Sequence, residues 1–356
     1  MARRQEQEPA RSEVAEVAPG VLRMELPIAL PGLGHVNCYA LVDRNGAAVV
    51  DPGLPGPSTW RALQDRLRRA GLAPRNVHTV LVTHSHPDHF GGAARIAKES
   101  GARVVAHRAF TFGLPVPAPE VSVEDLAADS DADREREGET APPPPRVADG
   151  RTPWGGERPR PPLVTRLKWM LMRRLGAALV PTITHPVEHG DVLELAEREW
   201  FVVHTPGHTG DHFCLHDPES GVMLSGDHVL PSITPHISGI SSSKDPLATF
   251  FYSLDRVAEI SGVKRVLPAH GHPFEDLRKR AEAIKRHHHE RLEKLLSLGR
   301  ELGPSPVRAF SEHLFAPRNW GAMADSETYA HLEHLRIGGR AERQIARDGT
   351  HVYTLG

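Results

Sequence analysis

The segment THSHPDHFGG (83–92) places four side chains that can bind a metal ion, His84, His86, Asp88 and His89, within six residues. A helix face cannot present this run, because His84 and His86 are two apart and Pro87 follows them. On an extended backbone, positions i and i+2 point the same way. The turn that follows can bring Asp88 and His89 round to an adjacent spot. Two imidazoles for one cation, and a carboxylate with an imidazole for a neighbour, suit zinc, with iron or manganese as alternatives. Three more candidates stand where apolar runs give way to loops: His208 in HTPGHTGDH (204–212), Asp227 in LSGDHVL (224–230) and His270 in LPAHGHP (267–273). Each lies beside a glycine, where the backbone can turn sharply. A carboxylate has two oxygens and can bridge two cations, which is the role expected of Asp227. One ion would then take His84, His86 and His208 plus the bridge. The other would take Asp88, His89 and His270 plus the bridge, and each would keep a position for a shared water.

Strands must carry these loops. Short apolar runs broken by Gly and Pro predict strands at 21–26, 36–42, 47–50, 77–84 and 102–107, and again at 192–195, 200–204, 213–217, 222–227 and 263–270. Helical spacing predicts helices at 58–70, 90–101, 245–260 and 275–300, the first with Ser58 as its N-cap. Strands first, then strands alternating with helices, describe a mixed α/β layer structure, and the alternation on either side of 115–162 suggests two similar halves. Residues 1–16 are polar and charge-rich and read as a flexible tail. The window 115–162 holds 11 prolines, and 120–139 carries nine acids against Arg134 and Arg136. Such a stretch cannot bury enough apolar surface to offset its ordering entropy, so a largely disordered insertion is expected. The apolar helix expected at 163–180, with Arg166, Lys168, Arg173 and Arg174, is either a cap over the site or an ordinary docked helix. The domain plan is thus a main domain over 17–274, a linking helix over 275–302 and a separate unit over 303–356. Helices at 305–315 and 326–337, with a hairpin around Asp348-Gly349, give that last unit a winged-helix-like plan.

Composition narrows the function. Lys+Arg is 43 and Asp+Glu 45 in 356 residues, so there is no basic field for a general nucleic-acid coat or an anionic membrane surface. No run reaches 18 uncharged apolar residues, and the first residues have no apolar signal core, so a cytoplasmic protein with no membrane span is expected. Cys38 and Cys214 alone exclude a disulfide scaffold and an all-Cys zinc site. The other histidines read as less informative: His212 and His228 as surface or supporting groups, and the run 287–289 as a solvated helix face.

The ordered set of seven resembles the metallo-β-lactamase superfamily, whose hallmark T-H-x-H-x-D-H stands here as Thr83 to His89, followed by the downstream His208, Asp227 and His270. The resemblance spans about 17–275. It implies a four-layer αββα sandwich with the metals at one edge between the sheets, and two zinc ions per chain. It also implies that Asp51, in VVDPG (49–53), supports a ligand histidine and fixes its tautomer. The implied reaction is hydrolysis by a hydroxide bridging two metal ions, with Asp88 orienting it or accepting its proton as well as coordinating. No G-x-S-x-G elbow suggests a serine nucleophile. The second group has no Cys, which resembles the hydroxyacylglutathione hydrolase, lactonase and β-lactamase-like endoribonuclease branches more than the antibiotic-cleaving enzymes. The leading expectation is therefore a metal-dependent hydrolase of a small ester, thioester or lactone.

The alternative is a metal-dependent endoribonuclease or phosphodiesterase acting on single-stranded RNA. In its favour, 303–320 and 226–237 resemble the endoribonuclease branch. Against it, 303–356 holds six Arg, no Lys and six acids, a poor balance for phosphate contact. A packing or dimerising role for that unit is preferred, which admits a homodimer. A one-iron persulfide dioxygenase would not need Asp88, His89 and His270. A non-enzymatic scaffold would have its open coordination positions blocked.

Overall fold

A computed structural model describes residues 4–30, 32–112, 152–155, 180–241 and 243–356. The chain opens with four antiparallel strands, β1 (Val14–Ala18), β2 (Val21–Leu30), β3 (Leu33–Asp43) and β4 (Gly46–Val50). Helix α1 (Pro57–Arg69) leads to β5 (Val77–Val82); the short α2 (Pro87–Phe90) and α3 (Ala93–Ser100) lead to β6 (Arg103–His107), and β7 (His185–Val187) closes the edge. From β4 to β7 the pairing is parallel, and the seven strands lie in sequence order. A second sheet holds β8 (Val192–Leu195), β9 (Arg198–His204), β10 (Phe213–Asp217) and β11 (Val222–Gly226), all antiparallel. Helix α4 (Pro246–Glu259) then returns the chain to β12 (Arg265–Pro268), parallel to β11. The long helix α5 (Leu277–Leu302) precedes β13 (Ser305–Pro306), α6 (Val307–Leu314), α7 (Ala322–Ile337), β14 (Ala341–Ile345) and β15 (His351–Leu355), whose three strands form a small sheet.

The layers follow from where apolar side chains have been placed. Tyr39, Leu41, Val50 and Leu81 from the first sheet pack against Trp200, Phe213, Leu215 and Leu267 from the second. The outer face of the first sheet is covered by Leu63, Leu67 and Ile96 of α1 and α3. Phe250 and Leu254 of α4 and Ile284 of α5 cover Met223 and Val266 of the second. The result is the αββα sandwich. Strands buried on both faces read as continuous apolar runs rather than alternation; β11, VMLSG, is buried at every position. Pro57 starts α1 one residue ahead of the expected Ser58, using a position whose N–H needs no partner. Asp245 caps α4, its carboxylate accepting from the Ala248 N–H at 2.9 Å.

Three regions differ from the sequence reading. The supposed tail is strapped to the body. Glu6 is fully buried, and its carboxylate accepts from the backbone N–H groups of Ser232 (2.7 Å) and Ile233 (3.1 Å), while Arg11 N–H donates to Glu25 at 2.7 Å. The partners of Glu6 lie more than two hundred residues away along the chain. Second, within the window expected to be disordered, Trp154 is buried among C-terminal residues and its carbonyl accepts from the His351 N–H at 2.9 Å. Residues 115–151 and 156–162 of that window, and the helix expected at 163–180 up to residue 179, lie outside the described residues. Third, 303–356 is not set apart. Val307, Phe310, Leu335 and Tyr353 share one core with Leu295 and Leu298 of α5 and Phe250 of α4. Among the described residues, no helix is long and apolar enough to cross a membrane.

Candidate metal centre

All seven candidate residues emerge at one edge of the sandwich, on loops that leave the ends of neighbouring strands. His84 lies two residues beyond β5, His86 caps α2, and Asp88 and His89 belong to that helix. His208 follows β9, Asp227 follows β11 and His270 follows β12. Two of these exits need glycine. Gly226 has φ +49°, and a Cβ there would sit 2.6 Å from the His212 ring. Gly207 has φ +133°, and a Cβ would meet Phe250 at 2.5 Å.

The donors form two adjacent groups, His84/His86/His208/Asp227 and Asp88/His89/His270, and the atoms within each lie within 4.8 Å of one another. Asp227 faces both. Its Oδ2 is 3.8 Å from His84 Nε2, 3.6 Å from His208 Nε2 and 3.6 Å from His89 Nε2, and its Oδ1 is 3.3 Å from His270 Nε2. Asp88 Oδ2 lies 3.6 Å from His89 Nε2 and 3.5 Å from His270 Nε2.

Outer partners decide which nitrogen of each ring faces inward. His89 Nδ1 donates to Asp51 Oδ2 at 2.9 Å. The same carboxylate accepts from the Thr83 N–H (2.9 Å) and hydroxyl (2.8 Å). Because the Thr83 hydroxyl proton is used on Asp51, its oxygen is left to accept from His84 Nδ1, 3.1 Å away. His208 Nδ1 donates to the His236 carbonyl and His270 Nδ1 to the His35 carbonyl, both at 2.7 Å. Each of these four rings therefore turns its Nε2 toward the centre. His86 meets them with Nδ1, 3.0 Å from His84 Nε2 and 3.1 Å from His208 Nε2. One ring nitrogen carries at most one proton, so at least one of those two contacts is lone pair against lone pair. A cation placed among the three nitrogens would resolve that repulsion. In the other group, His89 Nε2, His270 Nε2 and Asp227 Oδ1 are buried with no hydrogen-bond partner. Buried polar atoms are rarely left this way. The residues fit metal ions.

Protonation separates the two groups. Burial, reinforced by the neighbouring His89 and His86 rings, holds His84 well below the ordinary imidazole range. Burial likewise holds down His86 and His208. Burial also pushes on His89, but Asp88, Asp227 and Asp51 outweigh it and hold that ring well above its ordinary value. His270 is raised as well, its burial outweighed chiefly by Asp227. For Asp227, burial is outweighed by His270 and His89, which hold the carboxyl well below the usual range. The first group offers neutral nitrogens; in the second, protons stand in for positive charge beside three carboxylates.

Sequence reasoning named Asp51 and allowed a supporting place for His212, but missed the rest of the support behind these side chains. His212, expected at the surface or in a supporting place, is fully buried, and its Nε2 accepts from the Asp227 N–H at 3.0 Å. Its position in the same motif as His208 was the available signal. His35 and His236 contribute through their backbone carbonyls, for which a sequence carries no sign.

The sequence profile of the metallo-beta-lactamase superfamily matches residues 31–302. Over 352 residues, covering 93% of this chain and 96% of the relative, the chain is 26% identical to a probable metallo-hydrolase, YqjP, from Bacillus subtilis strain 168. The crystal structure of a metallo-beta-lactamase family protein from Thermus thermophilus matches with a TM-score of 0.70 and 28% identity, over 96% of this chain and 100% of that one. A stretch of 91 residues is 33% identical to acyl-coenzyme A thioesterase MBLAC2 from Gallus gallus, covering 25% of this chain and 31% of that protein.

Proposed function

The chain belongs to the metallo-beta-lactamase superfamily and is a metallo-hydrolase, and from that premise we propose that it cleaves a small thioester, ester or lactone with two zinc ions. His84, His86 and His208 would hold one ion and Asp88, His89 and His270 the other, with Asp227 between them. The observation that carries this reading is the position of Asp227, whose two oxygens lie 3.3–3.8 Å from four inward-facing imidazole nitrogens of both groups. Bound ions would supply a water made acidic enough to attack near neutral pH and a Lewis acid for the substrate carbonyl. The chain's own residues do the rest. Asp51, His35 and His236 fix ring tautomers so that lone pairs, not N–H groups, face the reaction. Asp88, buried beside His89 and His270, orients the attacking water and takes its proton. The C–O bond forms as the C–S or C–O bond to the leaving group breaks, and the departing thiolate or alkoxide takes up a proton.

Thioesters lead the list because of the local similarity to an acyl-coenzyme A thioesterase, and because both donor groups are complete without a Cys. Single-stranded RNA is the competing substrate, and the balanced charge of 303–356 weighs against it. The test is elemental analysis of purified protein combined with a screen of thioesters, lactones, simple esters and short RNA. The expected result is two zinc ions per chain and thioester, ester or lactone turnover that a chelator abolishes and zinc restores. Cleavage of RNA with no small-molecule turnover would replace the substrate class, and a chain that binds no metal would overturn the centre itself.

A further inference from the structure

We infer that Glu327, on α7, is a positioning residue for the metal centre that acts through His236, so that the C-terminal helices are part of the apparatus holding His208. This rests on the reading of His84, His86 and His208 as a metal group. On its outer side His208 is oriented by the hydrogen bond from its Nδ1 to the His236 carbonyl at 2.7 Å. That carbonyl belongs to the irregular stretch 230–241, whose residues lie in no strand or helix. A loop carbonyl directs an imidazole only as well as the loop itself is held.

The stretch is anchored at two places. Residues 230–233 are held by Arg280 of α5, which donates to the Leu230 and Ile233 carbonyls at 2.6 Å each, and by the buried Glu6. Residues 236–239 are held by α7. His236 Nδ1 lies 3.3 Å from Glu327 Oε2, and the Gly239 N–H donates to Ser326 Oγ at 3.0 Å. Gly239 lies so close to the helix that a Cβ would come 2.5 Å from the Tyr329 ring and 2.7 Å from the Ser326 carbonyl. Glu327 is itself pinned, buried and paired with Arg291 of α5. Burial opposes its charge, yet the hydrogen bond from His236 and the nearby Arg291 hold its carboxyl down at about 2. A continuous path therefore runs from Arg291 through Glu327 and His236 to His208, joining a helix of the C-terminal unit to an inward-facing ring. The alternative for 303–356, a module that only packs, leaves this path without a consequence for metal binding.

Support behind a ligand histidine typically changes metal affinity by about 10–100-fold. This support acts one residue further out, so the expected loss is about tenfold, the low end of that range. The experiment is zinc titration of the full chain against a competing chelator, reading the affinity of each of the two ions, with circular dichroism to check folding. Glu327→Gln and His236→Ala should each weaken one ion about tenfold and leave the other unchanged, and the double variant should be no worse than the single ones. In a His208→Ala background, Glu327→Gln should change the affinity of the remaining ion by nothing measurable, because its route to the centre is gone. Glu312→Gln, in an exposed ion pair on α6, is the control that should leave both ions alone. His236→Ala keeps the Arg291–Glu327 pair and so tests the link even if Glu327 variants do not fold. Folded single variants that bind both ions as tightly as wild type overturn the proposal. A wild-type chain that binds no zinc overturns the metal reading instead, which is a separate result.

Discussion

Among the described residues, two clusters contain imidazoles and carboxylates close enough to hold an ion: the seven-residue edge of the sandwich, and His288, Glu327 and His331 between α5 and α7. Residue type and proximity do not distinguish them, but hydrogen positions do. At the edge, four rings use their Nδ1 protons on outer acceptors and turn Nε2 inward, where three atoms are left without any partner. In the interior cluster, His331 donates Nδ1–H to the Glu327 carbonyl at 2.7 Å, and its Nε2 then accepts from His288 Nδ1 at 3.0 Å. Glu327 is already neutralised by Arg291, with His236 on its other oxygen. One lone pair, His288 Nε2, is left over. The interior cluster is satisfied as a hydrogen-bonded pair beside an ion pair; the edge keeps unpartnered atoms that cations could satisfy. Where protons sit matters more than where donors sit.

The strongest way to break that contrast is to remove the group shared by both halves of the edge. Asp227→Ala should lower turnover by on the order of 10³ or more, the several kcal/mol that charge stabilisation by two ions supplies. Bound metal should fall toward one ion per chain. Retention of both ions with near-normal turnover would remove the bridging role. A smaller effect is expected one step out. Asp51 accepts from His89 Nδ1 and from Thr83, and does so at φ +52°, an unfavourable backbone conformation for a residue with a Cβ. Asp51→Asn turns an N–H toward the His89 N–H or loses the bond. Zinc affinity at Asp88, His89 and His270 should drop roughly 10–100-fold, measured by chelator competition. Affinity equal to wild type would mean that the tautomer of His89 is set elsewhere.

What was legible in the sequence divides along the same line. The seven candidate residues could be read from local pattern: four crowd into THSHPDHFGG after an apolar run, and His208, Asp227 and His270 each follow an apolar run beside Gly. Sheet layers could be read because strands buried on both faces lose alternation, as β5 and β11 do. Glu6, His236 and Glu327 could not be read, since their partners lie 226, 91 and 36 residues away and nothing near them in sequence marks the pairing. His288 is a different case. The run 287–289 was expected to be solvated, yet His288 is fully buried. It falls on the stripe Ala281, Ile284, His288, Leu292 and Leu295, whose i, i+3, i+4 spacing is that of an inward helix face. The signal was present, and the neighbouring histidines hid it.

That buried pair gives the smallest and most discriminating prediction. Burial is the main cause that lowers His331, from the ordinary 6.5 to about 4. Above 6.5 the ring is neutral in folded and unfolded chains alike, and its protonation contributes nothing to the balance. Between 6.5 and 4 the unfolded chain binds a proton that the folded chain refuses, so stability falls as pH falls, and the loss levels off below 4. His331→Gln keeps an acceptor for His288 Nδ1–H and removes that titration. At pH 7 the variant should be less stable by about 1 kcal/mol, the net contribution of a typical hydrogen bond. On acidification through the window the gap should close by up to about 1.4 kcal/mol per pH unit. Urea unfolding of both chains from about pH 7 to about pH 4 measures this. Metal release from the sandwich edge is common to both chains and cancels in the difference. Bound zinc near neutral pH should match wild type, because the interior pair is closed by its own protons. Parallel stability curves, or lost zinc, would show that the two clusters are not the separate kinds of site that their hydrogen bonds describe.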